Sequence, residues 1–515
     1  MSSTPSNGPR WWPAVVGSSS HLARNVGANA ASAVWNGLLI VAVTPWYVSL
    51  LGFEGYGLIG FWVVMQVVLS LCDLGMGATL VRDYAAANGA PDGPGRRRHL
   101  LRTLEVVYWP LAALLTMLLA ASAGWIAESW LNLRVLPADQ VARSIVWMAL
   151  ALGLQFPGSL YANGLLGLQR QGRLALIQIG ANTLRYGGGL AVLLWRADPV
   201  PYFLAQALVS AVQTAATRAM LSRSLTRTDA AATRPAFRPE LLRHAWRFSA
   251  GMALTAAAGV LLANVDRLFL SAMMPAAELG KYTMAWSVTG LVQLGVQPFY
   301  RAYFPRFAEL QGTEDREKLR QVYFQGCRAV AWMIIPAALA AWAFAPEIFV
   351  VWTGNADRTM VTVLRWLLVG VACAGLMWLP AGFQQAHGWT SLHAAMVVGA
   401  LIAGVASLGW TIGRWGTAGA SAAWVLHGVS DLTLGLWLMH RRLLPGEFGE
   451  WWRTVVVPPV LCGAPIVAAS WFMMPLSLGR WSMAAWLAGT GVAAVAPLLL
   501  SRRAVRTEPA PEVRL

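Results

Sequence analysis

The chain has 515 residues, 57% of them hydrophobic and 12% charged, with a mean hydropathy of +0.52. A soluble domain carries about 25% charged residues, so a chain with a large solvated surface is excluded. The net charge of +16 would point to nucleic acid in a soluble protein, but here the basic residues sit between apolar runs, where membrane topology accounts for them.

Residues 1–26 read as a cytoplasmic N-terminal tail without a cleavable signal. A first transmembrane bundle, 27–221, follows, with candidate spans near 27–50, 57–80, 104–126, 144–167, 174–195 and 200–221. Residues 222–247, rich in Arg, Thr, Ala and Pro, read as a cytoplasmic linker. The second bundle, 248–440, holds spans near 248–272, 282–304, 325–351, 360–384, 391–413 and 417–439. Two extra C-terminal helices, near 454–474 and 481–500, lie within 441–501, and 502–515 form a cytoplasmic tail. The total is about 14 spans of roughly 20 residues, the length that crosses a bilayer core.

With the N-terminus placed in the cytoplasm, about 29 of the 39 basic residues fall inside and about 8 outside. That asymmetry puts both termini in the cytoplasm. The external loops are short, the longest near 127–143, leaving no room for an external catalytic domain. The four cysteines lie in apolar runs without paired spacing, and the seven histidines are dispersed. No metal site and no cofactor is expected.

Polar residues recur at steps of three and four within the spans. Asn25, Asn29, Ser32 and Asn36 mark the first, and Gln155, Ser159 and Asn163 the fourth. The fifth carries Gln178, Asn182 and Arg185, the sixth Gln206, Ser210, Gln213 and Thr217, and the eighth Thr289, Gln293 and Gln297. Such steps hold side chains on one helix face. In a bilayer that face must meet other helices or a wet cavity. Amides and hydroxyls suit sugar hydroxyls. Charges inside spans are costly and mark function or pairing. Arg185 and Arg267 fit an anionic group such as pyrophosphate, or else an ion pair with Asp73 or Asp266. Asp73 can fix the cytoplasmic end of its span. Asp73, Asp266 and Asp431 are the carboxylates available for ion coupling. Gly409 and Gly413 form a GxxxG, expected to be a packing contact.

The runs Leu51-Gly52 to Tyr56-Gly57, Asp73-Leu74-Gly75, Leu80-Val81-Arg82 and Asn264-Val265-Asp266-Arg267-Leu268-Phe269-Leu270 come in a distinctive order. Together with Leu279-Gly280-Lys281-Tyr282, Gln297-Pro298 to Phe304-Pro305-Arg306 and Gln385-Ala386-His387-Gly388, they resemble the O-antigen and exopolysaccharide flippase family. Its superfamily, MOP, also holds multidrug MATE antiporters and the lipid II flippase. The resemblance covers roughly residues 20–440. It implies an all-α integral membrane protein of the bacterial inner membrane, with two six-helix bundles around a central cavity that opens alternately to each side. It implies a substrate oligosaccharide on an undecaprenyl pyrophosphate carrier, for surface polysaccharide biosynthesis. Membrane lipids, Na+ or H+, and a polymerase with a chain-length regulator would be the other partners. Arg24, Arg185 and Arg267 are the positions that could hold the pyrophosphate, with Arg82 at the cytoplasmic rim. The amides Asn29, Asn36, Asn182, Gln206, Gln293 and Gln297 would meet the sugar. A MATE-like multidrug or cation antiporter is the alternative, and a membrane polymerase or ligase a more distant one.

Overall fold

A computed structural model describes residues 20–73, 75–86, 93–228, 236–241, 257–294, 296–311, 316–475 and 479–504. Every regular element among them is helical. A helix satisfies its backbone internally, as a hydrocarbon solvent requires. Among the described residues, eight helices are long and apolar enough to cross a membrane. Fewer than the 14 apolar runs meet that measure, for two visible reasons. The stretch Ala31–Leu71 counts once, although its 41 residues exceed a single crossing. Other runs are divided into shorter pieces, as where Gln171–Thr183 passes through a widened π turn, Leu184–Gly188, into Gly189–Trp195.

The longest helix, Ser20–Leu71, is broken at Gly52, where φ is 68° and ψ 175°. A side chain is strained at that φ, so glycine supplies the break. Just past it the buried Glu54 carboxylate accepts hydrogen bonds from the backbone amides of Arg134, Val135 and Leu136, at 2.9, 2.9 and 3.2 Å. One carboxylate thus pins the loop ahead of Ala138–Gly167.

The chain falls into two compact units. The first comprises residues up to Gly55 and Phe61–Leu261, the second Tyr56–Gly60 and the residues from Leu262 onward. In the first unit, Ala138–Gly167 is the central helix and packs most extensively on Pro199–Thr228. Small residues permit this approach. A Cβ at Gly158 would come within 2.6 Å of Thr214 Oγ1, and one at Gly164 within 2.7 Å of Leu221. The core around them holds Leu80, Tyr84, Leu104, Tyr108, Leu160 and Tyr161.

The second unit has its own core, built on Phe307, Tyr323, Phe383, Leu436 and Trp451. Its most extensive crossing lies between Arg358–Leu376 and Thr417–Ser430. A Cβ at Gly370 would sit 2.5 Å from the Trp424 carbonyl oxygen, and one at Gly428 only 2.4 Å from that of Gly370. The GxxxG glycines do not play this part. Gly413 has open space around it, and Gly409 only reaches the edge of the Phe269 ring, at 4.0 Å. The close approach of their helix, Thr390–Trp415, is made instead by its Thr411 carbonyl, 2.1 Å from where a Cβ at Gly419 would stand. Large apolar side chains such as Leu38, Met117, Leu208, Leu426 and Leu461 stand exposed. In a multi-pass membrane protein that surface is solvated by lipid.

Candidate functional site

In the first unit the site is built on the π turn that carries Arg185. Widening a helix by one residue displaces its carbonyls from the regular ladder. The Arg185 carbonyl accepts a hydrogen bond from Gln206 Nε2 at 3.0 Å, and the Tyr186 carbonyl one from Tyr47 Oη at 2.8 Å. Gly189 lets these groups close in, since a Cβ there would meet Tyr47 Oη at 2.7 Å. The Arg185 guanidinium donates through Nη2 to Gln213 Oε1 at 2.9 Å and lies over the Trp62 ring, 5.5 Å from its centroid. Among the described residues, no carboxylate is paired with it.

An amide relay extends from this point. Ser210 Oγ donates to the Gln206 carbonyl at 2.7 Å and accepts from Gln155 Nε2 at 2.9 Å. Gln155 Oε1 in turn accepts from Gln66 Nε2 at 2.9 Å. Three buried polar atoms of the cluster have no protein partner: Arg185 Nη1, Gln206 Oε1 and Trp62 Nε1. Each such group costs about 1–3 kcal/mol if left unmatched, so two donors and an acceptor stand ready for a polar ligand. Nearby, Ser32 donates to Gln178 Oε1 at 3.5 Å and Trp35 Nε1 to Thr183 Oγ1 at 2.9 Å. Asn36 and Asn182 are half-buried on the same two helices. The side chains of Arg24 and Asn29 lie outside the described residues.

In the second unit the focus is Asp266, which is 1% exposed. Its Oδ2 accepts from Trp424 Nε1 at 2.8 Å, from Trp286 Nε1 at 3.4 Å, and from the Tyr282 hydroxyl. Tyr282 and Trp286 are four residues apart on one helix, and the two indoles meet edge to face at 5.0 Å. The second carboxylate oxygen, Oδ1, has no protein partner. Asp266 also lines a cavity of about 330 Å³, together with Leu262, Met396, Ser407, Trp424, His427 and Ser430 among others. Arg267 turns to other partners: Nη1 donates to Asn264 Oδ1 at 3.2 Å, and the guanidinium lies 4.7 Å from the Trp286 ring centroid. Its Nε is buried without a partner.

The remaining sequence-derived candidates are placed as follows. Both Asp73 oxygens are engaged, one by the Tyr108 hydroxyl and one by the Gly77 amide at 3.2 Å. Asp431 is half-buried at the start of a second π turn, Asp431–Gly435. Gln293 is half-buried and Gln297 exposed, and neither lines the cavity beside Asp266. Arg82 pairs with Asp83 at 2.7 Å. Among the described residues no cluster of three metal-ligating side chains occurs. Sequence reasoning did not find Trp62, Gln66, Trp286 or Trp424, and it gave Tyr282 only as part of a motif, without a role in the site. Gln66 lies one helical turn after Trp62, and Trp286 one after Tyr282, a spacing that could have marked both faces.

Comparison with known proteins adds three findings. A family model described as "Polysaccharide biosynthesis protein" matches residues 22–311. A Shigella flexneri protein assigned as an O-antigen transporter is 24% identical over 179 residues, covering 34% of this chain and 42% of its own. A Haloferax volcanii protein assigned as the low-salt glycan biosynthesis flippase Agl15 is 22% identical over 225 residues, covering 44% and 46%. The matches thus span less than half the length of either relative. Among solved structures, the lipid II flippase MurJ in an inward closed conformation aligns at a TM-score of 0.71 and 10% identity, over 94% of this chain and 99% of that one. An inward-facing MATE-family multidrug resistance transporter of the MOP superfamily aligns at 0.63 and 14%, over 81% and 96%. At such identities the likeness is one of fold.

Proposed function

This chain belongs to the polysaccharide biosynthesis protein family, and from that premise we propose that it is a flippase. It carries an undecaprenyl-pyrophosphate-linked oligosaccharide across the bacterial inner membrane by alternating access, with no covalent step. The observation that supports this reading best is the Arg185 cluster. A buried guanidinium without a carboxylate, seated among glutamines, is matched to a phosphate oxygen beside sugar hydroxyls. The experiment is a deletion strain complemented with wild type or with Arg185→Lys. Deletion is expected to accumulate a lipid-linked oligosaccharide, read by mass spectrometry of undecaprenyl intermediates. Wild type clears it. The lysine protein, at equal expression, clears it about tenfold more slowly, because a point charge loses the planar fork. No accumulation on deletion would end the flippase reading.

Transport is coupled to Na+ or H+ at Asp266, which lines the cavity of the second unit and has one carboxylate oxygen without a protein partner. In vesicles, collapsing the ion gradient is expected to slow the wild type and to leave Asp266→Asn unchanged. Equal wild-type rates with and without a gradient would remove the coupling. One observation favours a second reading. An acid flanked by two indoles and a tyrosine also suits an organic cation, as a multidrug antiporter would need. Raised drug sensitivity of the deletion strain, without a lipid-linked intermediate, would move the function there.

A further inference from the structure

A second opening in the second unit, about 340 Å³ in volume, lies between Arg316–Ala343, Arg358–Leu376 and Val457–Phe472. Its walls are apolar, with Leu339, Val467, Ala468 and Phe472 among them, and its one charged lining residue is Arg365. Two of these helices end at the opening, at Ala343 and Phe472. Trp342, Trp471 and Phe472 are exposed around the opening, Phe472 at 79%. Exposed aromatic rings clustered at one level of a bundle mark the membrane–water interface. Arg365 is seven residues into its helix, so it sits about 10 Å below the helix start, within reach of the headgroup region for a long side chain.

The partners of Arg365 are incomplete. Nε donates to the Trp342 carbonyl at 3.1 Å, one of the carbonyls that the end of a helix leaves without a ladder partner. The guanidinium lies 4.9 Å from the Trp342 ring centroid. Among the described residues, no carboxylate pairs with it and its two terminal nitrogens carry no hydrogen bond. The peptide oxygen and the ring orient the fork without neutralising its charge.

We propose that this opening is a binding site for a membrane glycerophospholipid, with its phosphodiester on Arg365 and the upper part of a tail against Val467, Ala468 and Phe472. The charge sets the choice of occupant. One guanidinium balances the single negative charge of a phosphodiester, and the apolar wall excludes free phosphate. The site is separate from the Arg185 and Asp266 clusters. It joins the penultimate described helix to the rest of the second unit through a lipid.

The test uses the full chain in detergent and native mass spectrometry with two probes that share their tails: dioleoylphosphatidylglycerol and dioleoylglycerol. The phospholipid is expected to be retained at one per chain, about tenfold more tightly than the diglyceride, the size of one charge-assisted contact. Arg365→Gln should bring the two probes level, Arg365→Lys should keep most of the difference, and Ala468→Trp should release both lipids. Melting temperatures of the variants separate lost binding from lost folding. Equal retention of the two probes by the wild type, or an undiminished preference in Arg365→Gln, overturns the proposal. Displacement of the phospholipid by an equal amount of undecaprenyl phosphate also overturns it, since the site would then belong to the carrier.

Discussion

At Arg185 and Asp266, the fold surrounds single ionisable side chains without giving either an ion-pair partner among the described residues. Breaking a buried polar pair is normally costly, yet Arg185 Nη1, Gln206 Oε1 and Asp266 Oδ1 are all left without protein partners. For Asp266 the consequence is measurable. Replacing it with Asn keeps the shape and the acceptor oxygen for Trp424 while removing the charge that a cation would need. Transport by Asp266→Asn should persist at the uncoupled rate of the wild type, and a complete loss would instead assign Asp266 to the packing of Tyr282 and Trp424. How far the sequence carried is plain at these two residues. Arg185 and Asp266 were legible because a charge inside an apolar run is conspicuous. Their partners were not. Trp62 and Trp424 read as ordinary apolar residues, and Trp424 reaches Asp266 across 158 positions of chain, a distance no local pattern encodes.

Among the helices, periodicity placed polar residues on shared faces but did not give their partners. Of the stripe Gln206, Ser210, Gln213 and Thr217, the two hydroxyls turn back to carbonyls of their own helix at 2.7 Å, a common habit of Ser and Thr in helices. The two amides reach another helix, as does Ser210, which also accepts from Gln155, whereas Thr217 bonds only within its own. The tight crossings were hidden for a similar reason: Gly370 and Gly428 lie 58 positions apart and share no motif. Gly370→Ala would drive its Cβ to 2.5 Å from the Trp424 carbonyl oxygen and 2.6 Å from its carbon. Backbone atoms cannot step aside as a side-chain tip can, so the helices must part, at a cost of about 1–3 kcal/mol. Thermal unfolding in detergent should register that loss, together with weaker ion dependence of transport, since Trp424 moves with its helix. Gly413→Ala, with open space around it, should stay within about 0.5 kcal/mol of wild type. Equal stability of the two variants would refute the crossing.

For the molecule as a whole, stability should follow pH through an ion cluster outside the spans. Lys281 Nζ lies 3.0 Å from both Glu278 and Asp357. Asp357 also caps the Arg358–Leu376 helix by accepting the Thr359 amide at 2.8 Å. Burial alone would raise the Asp357 carboxyl, but the Lys281 ammonium and the capping amides outweigh it and hold it below its ordinary 3.8. Burial would lower Lys281, and its two carboxylate partners reverse that and raise it above 10.5. A depressed acid contributes fully above 3.8 and is lost as pH falls through its folded value. A raised base contributes fully below 10.5 and is lost as pH climbs through its own. The melting temperature should therefore hold a plateau between those limits, and Asp357→Asn should flatten the acid limb. An unchanged acid limb in that variant would remove the cluster from the account.

The break at Gly52 reaches further than its own loop. The 41 residues of Ala31–Leu71 would form an unbroken rod of about 60 Å, twice the thickness of a bilayer's hydrocarbon core. Such a rod has no way to lie across one membrane. The crease at Gly52, followed at once by the buried Glu54, divides that run into pieces of about 21 and about 19 residues, each near the length of one crossing.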